Sequence, residues 1–110
     1  DDDDRAQKYL DDGLARDCAN APDEPSKQNC TAWYHALVRQ DLATAEKLVD
    51  AALSERPHRA EYLDTLAVVM EAQGRSADAR NAAWKAALQV PDDVYLFTQA
   101  LRLDAPEPIE

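Results

Sequence analysis

Two cysteines are the residues of this sequence whose side chains could form a covalent link. Cys18 and Cys30 lie on either side of a short segment that contains Pro22 and Pro25. If the flanking segments form an antiparallel helical hairpin, both thiols lie at similar distances from the loop, and a disulfide could close there. A buried pair of free thiols is the alternative interpretation. The spacing is not that of a zinc knuckle, so we expect no metal site and no cofactor.

The two histidines are the other candidates for chemistry, as general bases or ligands. His35 follows Tyr34 and His58 follows Pro57, and neither lies near a second catalytic motif in the sequence. The acidic residues do not converge on an acid–base pair, and the sequence has no phosphate-binding glycine loop or nucleophile elbow. A redox-active thiol would need an electropositive setting, which an acidic chain hardly offers. We therefore predict a protein that is not an enzyme.

The charge of the chain limits the classes of partner. Twenty-two acidic residues against twelve basic residues give a formal net charge of −10. This charge repels nucleic-acid phosphates and anionic lipid surfaces, so we expect no nucleic-acid partner. No apolar run approaches the roughly 20 residues that span a bilayer, so we expect no membrane insertion. The acidic surface favours solubility, and a basic protein partner is the alternative explanation.

Six prolines divide the 110-residue chain into segments of ordinary helical length. Proline lacks a backbone donor and clashes with the preceding turn, so helices end near it. Helical spacing of the apolar residues between these prolines, without strand-like alternation, predicts an all-α fold of about six helices. The predicted ranges are 4–20, 26–40, 42–55, 59–73, 76–89 and 92–103.

The fourth and fifth predicted helices form the clearest pair. Leu63, Leu66 and Ala67 lie on one face of the fourth helix, and Gly74 suits the left-handed turn that follows it. Ser76 is expected to cap the next helix. The fifth helix carries a face of small residues that lets two helix backbones approach closely. These residues are Ala79, Ala82, Ala83, Ala86 and Ala87.

A pattern of small residues and prolines recurs thirty-four positions apart. Ala43, Ala45, Ala52 and Pro57 recur as Ala77, Ala79, Ala86 and Pro91. Together with Leu63, Leu66, Ala67, Met70 and Gly74 in the stretch 60–93, this pattern resembles the tetratricopeptide repeat (TPR) family. The resemblance implies αα-hairpin repeats stacked into a fragment of a right-handed superhelix.

The first repeat matches the family pattern less well in its first helix. Trp33 lies where the family has a small residue at the closest helix contact. We expect either that this helix pair is splayed apart or that the neighbouring Ala32 and Ala36 make the close contact.

The resemblance also divides the chain into five segments. These are an N-terminal packing helix and turn (1–25), two repeats (26–59 and 60–93), a capping helix (94–103) and a tail (104–110). Two repeats alone would be marginal, so the flanking helices are expected to supply stability. On the N-terminal side Ala6, Leu10, Leu14 and Cys18 share one face. In the capping helix Val94, Phe97, Ala100 and Leu101 are expected to cover the second repeat.

In the TPR family the first helices of successive repeats line a concave surface that holds a peptide. The resemblance places eight residues of this chain there, namely Lys27, Tyr34, Leu37, Val38, Glu61, Asp64, Val68 and Glu71. We predict a non-catalytic module that binds an apolar or basic peptide segment, or a partner helix. Tyr34, Leu37 and Val68 would be anchors, and Asp64 and Glu71 charge partners, although Leu37 and Val68 could instead be ordinary core. Subfamilies that clamp a carboxyl-terminal peptide use lysine, arginine and asparagine at these positions. Here Cys30, Tyr34, Asp64 and Val68 occupy several of them, so no clamp activity is expected.

A structural role is the alternative hypothesis. The chain would then be a spacer or self-assembly domain of a larger bacterial-type envelope protein, and its copies would form a homo-oligomer. The state of Cys18 and Cys30 predicts the compartment, because a bridge favours the periplasm or the exterior and free thiols favour the cytoplasm.

Overall fold

The computed structural model describes residues 1–104 of the chain, which form six α-helices. They are α1 (Asp2–Gly13), α2 (Glu24–Val38), α3 (Leu42–Glu55), α4 (Ala60–Ala72), α5 (Ser76–Gln89) and α6 (Val94–Asp104). The all-α prediction is confirmed, and five of the six helices begin and end within two residues of their predicted bounds. The predicted tail lies outside the described residues except for Asp104, which still belongs to α6.

The first predicted helix differs most from the observed one. It is regular only to Gly13 and continues as a π-helical turn, Leu14–Cys18, in which the amide of Ala19 donates to the carbonyl of Leu14. A π turn places more residues in one turn than an α turn does. It therefore rotates the side chains that follow, and Cys18 becomes almost fully buried at 1% exposure.

Side-chain caps and left-handed residues define the ends of the helices. Asp1, Asp23 and Asp93 each accept a hydrogen bond from a backbone amide three residues ahead, at 2.9–3.1 Å. Gly74 has φ +80° between α4 and α5, as predicted. Ser76 was expected to cap α5, and this prediction is wrong. It is already the first helical residue, and Arg75 before it makes no capping bond.

The helices pack in neighbouring antiparallel pairs around two apolar clusters. One cluster lies between α2, α3 and α4, where Ala32 and Ala36 meet Ala45, Val49 and Val69. Of the two expectations for the first repeat, the structure has the second: the two alanines make the close contact with α3. The other cluster joins α4, α5 and α6, and consists of Leu63, Ala67, Ala82, Ala83, Ala86, Ala87, Leu96 and Ala100.

The buried face of α6 agrees with the predicted one at Ala100 and differs from it at Val94, Phe97 and Leu101. Leu96 and Ala100 are buried against α5, whereas Val94 is 78% exposed, Phe97 45% and Leu101 50%. Ala100 lets α6 approach the alanine face of α5 closely, and this contact decides the rotation of the helix. The aromatic ring of Phe97 reaches only the edge of the interface, where it meets Trp84 in a T-shaped pair.

None of the helices within residues 1–104 is long and apolar enough to cross a lipid bilayer.

Candidate functional site

A groove of about 1030 Å³ is lined by residues of α2, α4 and α6 and of the connections next to them. Helices α2 and α4 are each followed by a helix that packs against them, α3 and α5, and α6 packs against α5. Aromatic side chains form much of the wall, namely Trp33, Tyr34, Tyr62 and Tyr95. The remaining lining includes Asp17, Ser26, Asn29, Cys30, His58, Arg59, Glu61, Asp64 and Asp93.

Asp64 is the most buried charged residue of this groove. It lies on α4, is only 7% exposed, and its Oδ2 accepts a hydrogen bond from the hydroxyl of Tyr95 on α6 at 3.3 Å. Burial raises the pKa of Asp64 above its ordinary value, and the hydrogen bond from Tyr95 opposes this effect only in part. Burial and the adjacent carboxyl raise the pKa of Tyr95 as well.

Two buried acceptor atoms of the groove have no hydrogen-bond partner among the described residues. They are Oδ1 of Asp64 and Oδ1 of Asn29, on the neighbouring helices α4 and α2. A buried acceptor that stays unpaired costs about 1–3 kcal/mol, and more when it is charged. Most buried polar groups in folded proteins are paired, so each unpaired one calls for an explanation.

The N-terminal wall of the groove is built around Tyr34. Its hydroxyl donates to Oδ2 of Asp17 in the π turn, and its ring lies 5.7 Å from that of Tyr9 on α1. The hydrogen bond from Tyr34 lowers the pKa of Asp17. A Cβ built at Gly13 would fall within 2.7 Å of three ring carbons of Tyr34, so only glycine allows this approach.

Cys18 and Cys30 form the disulfide that was one of the two predicted alternatives. Their Cα atoms are 5.3 Å apart, and the bridge joins the end of the π turn to α2 beside the groove. Within residues 1–104 both cysteines are bridged. The bridge therefore holds the π turn, with Asp17, against the helix that carries Trp33 and Tyr34.

An arginine-centred network holds Tyr62, one of the residues that line the groove. Arg56, at the end of α3, pairs with Asp23 at 2.6 Å and donates to the hydroxyl of Tyr62 at 2.7 Å. Its hydrogen bonds hold the pKa of Asp23 well below the ordinary range. Arg59 lies 5.7 Å from the ring centre of Tyr62 and pairs with Glu61. Tyr62, which is 2% exposed, is thus held by both Arg56 and Arg59.

Three of the eight residues predicted for the binding surface line this groove: Tyr34, Glu61 and Asp64. Lys27, Leu37, Val38, Val68 and Glu71 are not among its lining residues. By helical spacing Val68 and Glu71 follow Asp64 on the same face, roughly 6 and 10 Å further along α4. Val68 packs against the apolar cluster between α2, α3 and α4. Leu37 is 43% exposed.

Glu71 is engaged within the chain. Arg102 of α6 donates to both of its carboxylate oxygens, at 2.7 and 2.9 Å. These bonds lower the pKa of Glu71 and fix α6 against α4. The pair holds the third helix of the groove in place beside the second.

Several lining residues were not singled out from the sequence. Trp33 was considered only as a packing problem, and Tyr62 and Tyr95 were not considered for the site. Tyr95 follows Asp64 by thirty-one residues, close to the repeat period, and this spacing is the one signal that could have indicated it. No local pattern distinguishes Tyr62 from the core residues beside it.

The histidines occupy two different settings. Nδ1 of His35 lies 2.9 Å from the carbonyl oxygen of Gln40, which ties the end of α2 to the following turn. His58 lines the groove from the exposed α3–α4 connection. Among the residues that the structure describes, no three histidine, cysteine or acidic side chains are grouped as metal ligands.

No protein-family model, no curated protein and no solved structure matches this chain.

Proposed function

We propose that this chain is a non-catalytic interaction module that binds a peptide segment or a partner helix in the groove between α2, α4 and α6. The observation that carries the proposal is the groove itself, about 1030 Å³ in volume and lined by residues of three helices, α2, α4 and α6. This volume is at the upper end of those of small-molecule pockets, so several residues of a peptide would fit.

The chemistry of the lining supports a partner that is apolar or basic. Trp33 and Tyr95 offer aromatic surface of the kind that dominates binding energy at interfaces. The charged lining residues are Asp17, Glu61, Asp64 and Asp93 against the single Arg59. Four acids around one base favour a positively charged segment and repel a carboxylate-rich one.

We also propose that the module belongs to the TPR-like helical repeats. The thirty-four-residue spacing, the left-handed Gly74 and the close packing of the alanine face of α5 support this assignment. The Cys18–Cys30 bridge supports an oxidising compartment, either the periplasm or the cell exterior.

Binding of end-capped octapeptide pools to the full chain would test the groove, with fluorescence anisotropy as the readout. We expect at least one pool to bind, and Trp33→Ala and Asp64→Lys to weaken that binding at least about tenfold. Asp50→Lys, the same charge change on an exposed position of α3, is the matched control and should leave affinity unchanged. Equal binding by all variants would place the binding site elsewhere.

One observation favours self-assembly as a second candidate function. Val94, Phe97 and Leu101 form an exposed apolar face on α6, at the end of the helical stack. A second copy could cover this face and extend the stack, as expected for a spacer or assembly domain of an envelope protein. Sedimentation would then show a mass that rises with concentration, and Phe97→Asp would abolish the rise. A monomer at all concentrations would reject this role.

A further inference from the structure

Helix α6 lies one repeat period after α4, because the first residues of the two helices are thirty-four positions apart. At this spacing the buried Leu96 and Ala100 of α6 take the positions of Tyr62 and Leu66 of α4. Helix α6 packs against α5 as α4 packs against α3. Helix α6 therefore has the position of the first helix of a third pair, whose second helix is not among residues 1–104.

The other face of α6 corresponds to the face through which α4 packs against α5. Phe97 and Leu101 take the positions of Leu63 and Ala67, which belong to the buried cluster that α4 shares with α5. Leu63 is 7% exposed and Ala67 0%, whereas Phe97 is 45% and Leu101 50% exposed. We call the exposed surface formed by Val94, Phe97 and Leu101 the α6 stripe.

The end of α5 shows the same difference. The sequence Ala-Ala-Leu occurs at 51–53 in α3 and again at 86–88 in α5. Leu53 packs against the cluster formed by the three following helices, whereas Leu88 is 71% exposed. Both α5 and α6 therefore lack, within residues 1–104, the following helix against which their counterparts pack.

The repeat also indicates what surface the covering helix would present. Leu63 and Ala67 of α4 pack against a face of alanines on α5, and small residues let the two backbones approach closely. Leu101 is larger than the alanine whose position it takes, so a close-packed partner needs small residues there as well. A terminal helix that needs no neighbour has a polar outer face, and the α6 stripe is apolar.

A folded second copy of this chain does not offer such a surface. The alanines of its α5 are buried in its own core, and its α1 opens with four aspartates. Its own α6 stripe would set Phe97 and Leu101 against equally large side chains. Residues 105–110 are fewer than half as many as the fourteen residues of α5. These observations favour a helix of a partner protein.

The start of the α6 stripe adds a preference in charge. A depression of about 230 Å³ lies there, and Asp92, Val94 and Phe97 are among its lining residues. In an antiparallel arrangement like that of α4 and α5, the last turn of the covering helix would lie beside this depression. A lysine or arginine in that turn would face the exposed Asp92 and would also complement the negative end of its own helix dipole.

We propose that the α6 stripe is the docking site for an amphipathic helix of a partner protein. The partner helix packs antiparallel to α6 through a face of alanine, serine or glycine, and carries a basic residue in its last turn. It completes a third helical pair. This site is separate from the groove, and the inference does not depend on the binding of a peptide there.

Three end-capped helical peptides, titrated into the isotope-labelled full chain, would test the site. The first has the sequence of residues 76–89 followed by two lysines. In the other two, glutamine or leucine replaces the five alanines of the buried face of α5. All three carry a hydrocarbon staple between positions 81 and 85, which are exposed on α5, because peptides this short are otherwise poorly helical. The replaced alanines are those at positions 79, 82, 83, 86 and 87.

The first peptide should shift the backbone amides of α6 and of the last turn of α5. It should bind at least about tenfold more tightly than the glutamine and leucine peptides, because only its small face allows close approach. Equal or tighter binding of either of these peptides would overturn the proposal. Shifts confined to α2 and α4 would place the peptide in the groove and would overturn it too.

Substitutions within the α6 stripe make the assignment specific. Leu101→Asp should weaken the first peptide at least about tenfold, because it places a charge in the apolar contact. Ala43→Asp adds the same charge at an exposed position of α3 and should leave the affinity unchanged. Val94→Asp, at a position that is 78% exposed, should also weaken binding, and its melting temperature should stay near that of the parent. Unchanged affinity in both stripe variants would overturn the proposal.

Two further measurements test the charge preference and the competing occupant. Asp92→Lys should weaken the peptide that ends in two lysines by about threefold, and should have no such effect on a peptide without them. Equal effects on the two peptides would overturn the preference for a basic last turn. A sedimentation mass that rises with concentration and is not lowered by the first peptide would assign the α6 stripe to a second copy, and the proposal would fail.

Discussion

The N-terminal hairpin and the C-terminal helices of this protein are held together by different interactions. In the hairpin, α1 buries little besides Leu10 and Gly13, and none of its residues belongs to either apolar cluster. It is attached to α2 by the Cys18–Cys30 bridge, by the hydrogen bond from Tyr34 to Asp17 and by the approach of Gly13 to Tyr34. Helices α4, α5 and α6 instead share one continuous alanine-rich core.

The difference shows how a small helical domain gains stability where its sequence cannot supply a core. A polar helix that opens with four aspartates has little apolar surface to bury, so a covalent link compensates. The alanine face of α5 needs no link, because close backbone approach gives extensive van der Waals contact. The groove lies between the two regions, with its Tyr34 wall set by the bridge and its Asp64 and Tyr95 wall set by the core.

The largest effect should come from truncating the C-terminal core. Leu63→Ala removes a side chain that is 7% exposed, and we expect it to destabilise the protein by about 2–5 kcal/mol. Leu88→Ala, the same substitution at a residue that is 71% exposed, should change stability by less than about 0.5 kcal/mol. Urea denaturation would measure both. Similar losses for the two variants would mean that α5 is rotated relative to α4.

Reduction of the disulfide should affect the N-terminal hairpin selectively. Opening a loop with a sequence separation of 12 should cost about 3 kcal/mol in the chain-entropy description. Because α1 depends on the bridge, its amides should lose protection from hydrogen exchange on reduction, while those of α4 and α5 stay protected. A variant with both Cys18→Ala and Cys30→Ala should not respond to the reductant. Unchanged protection of α1 on reduction would show that packing alone holds it.

Gly13→Ala tests the contact between α1 and α2, because it adds one carbon atom to α1 beside the ring of Tyr34 on α2. The added methyl group would overlap the ring of Tyr34, and we expect a loss of about 1–3 kcal/mol by analogy with overpacked cores. In a Tyr34→Ala background the same change should be neutral or stabilise by about 0.5–1 kcal/mol, because alanine favours helix. Thermal melts of the parent, the two single variants and the double variant complete a double-mutant cycle. Additive effects would contradict the contact.

The smallest effect should come from the Asp23–Arg56 ion pair between the start of α2 and the end of α3, and it should depend on pH. Arg56 lowers the pKa of Asp23 in the folded protein. The stabilisation from this pair is therefore complete at pH values above the pKa of Asp23 in the unfolded chain, which is about 3.9. It is lost as the pH falls through the lower pKa that Asp23 has in the folded protein. Arg56→Met should therefore lower the melting temperature at pH 7, and its difference from the parent should shrink steadily as the pH falls below about 3.9. Lys47→Met, at an exposed position, should show no such convergence. A constant difference across this range would rule out Asp23 as the partner.

The helices of this protein were predictable because their determinants are local. Proline positions, the apolar stripe with Leu63 and the glycine after α4 fixed the element bounds within a few residues. The face of α6 was not predictable, since both the Leu96–Ala100 stripe and the Val94–Phe97–Leu101 stripe have helical spacing. Only the alanine surface of α5 selects between them. The candidate site was predicted in part, through Tyr34, Glu61 and Asp64, because repeat spacing indicates which helices share a surface.

By itself, the sequence determined six helices, their order, their turns and the hairpin in which two cysteines could meet. These features follow from backbone geometry and from residues within a few positions of one another. The tertiary structure decided that Asp64 is buried with one oxygen occupied and one free, that Tyr62 and Tyr95 join the groove, and that Phe97 stays outside the core. Burial and hydrogen-bond satisfaction depend on residues some thirty positions away, which no local pattern specifies.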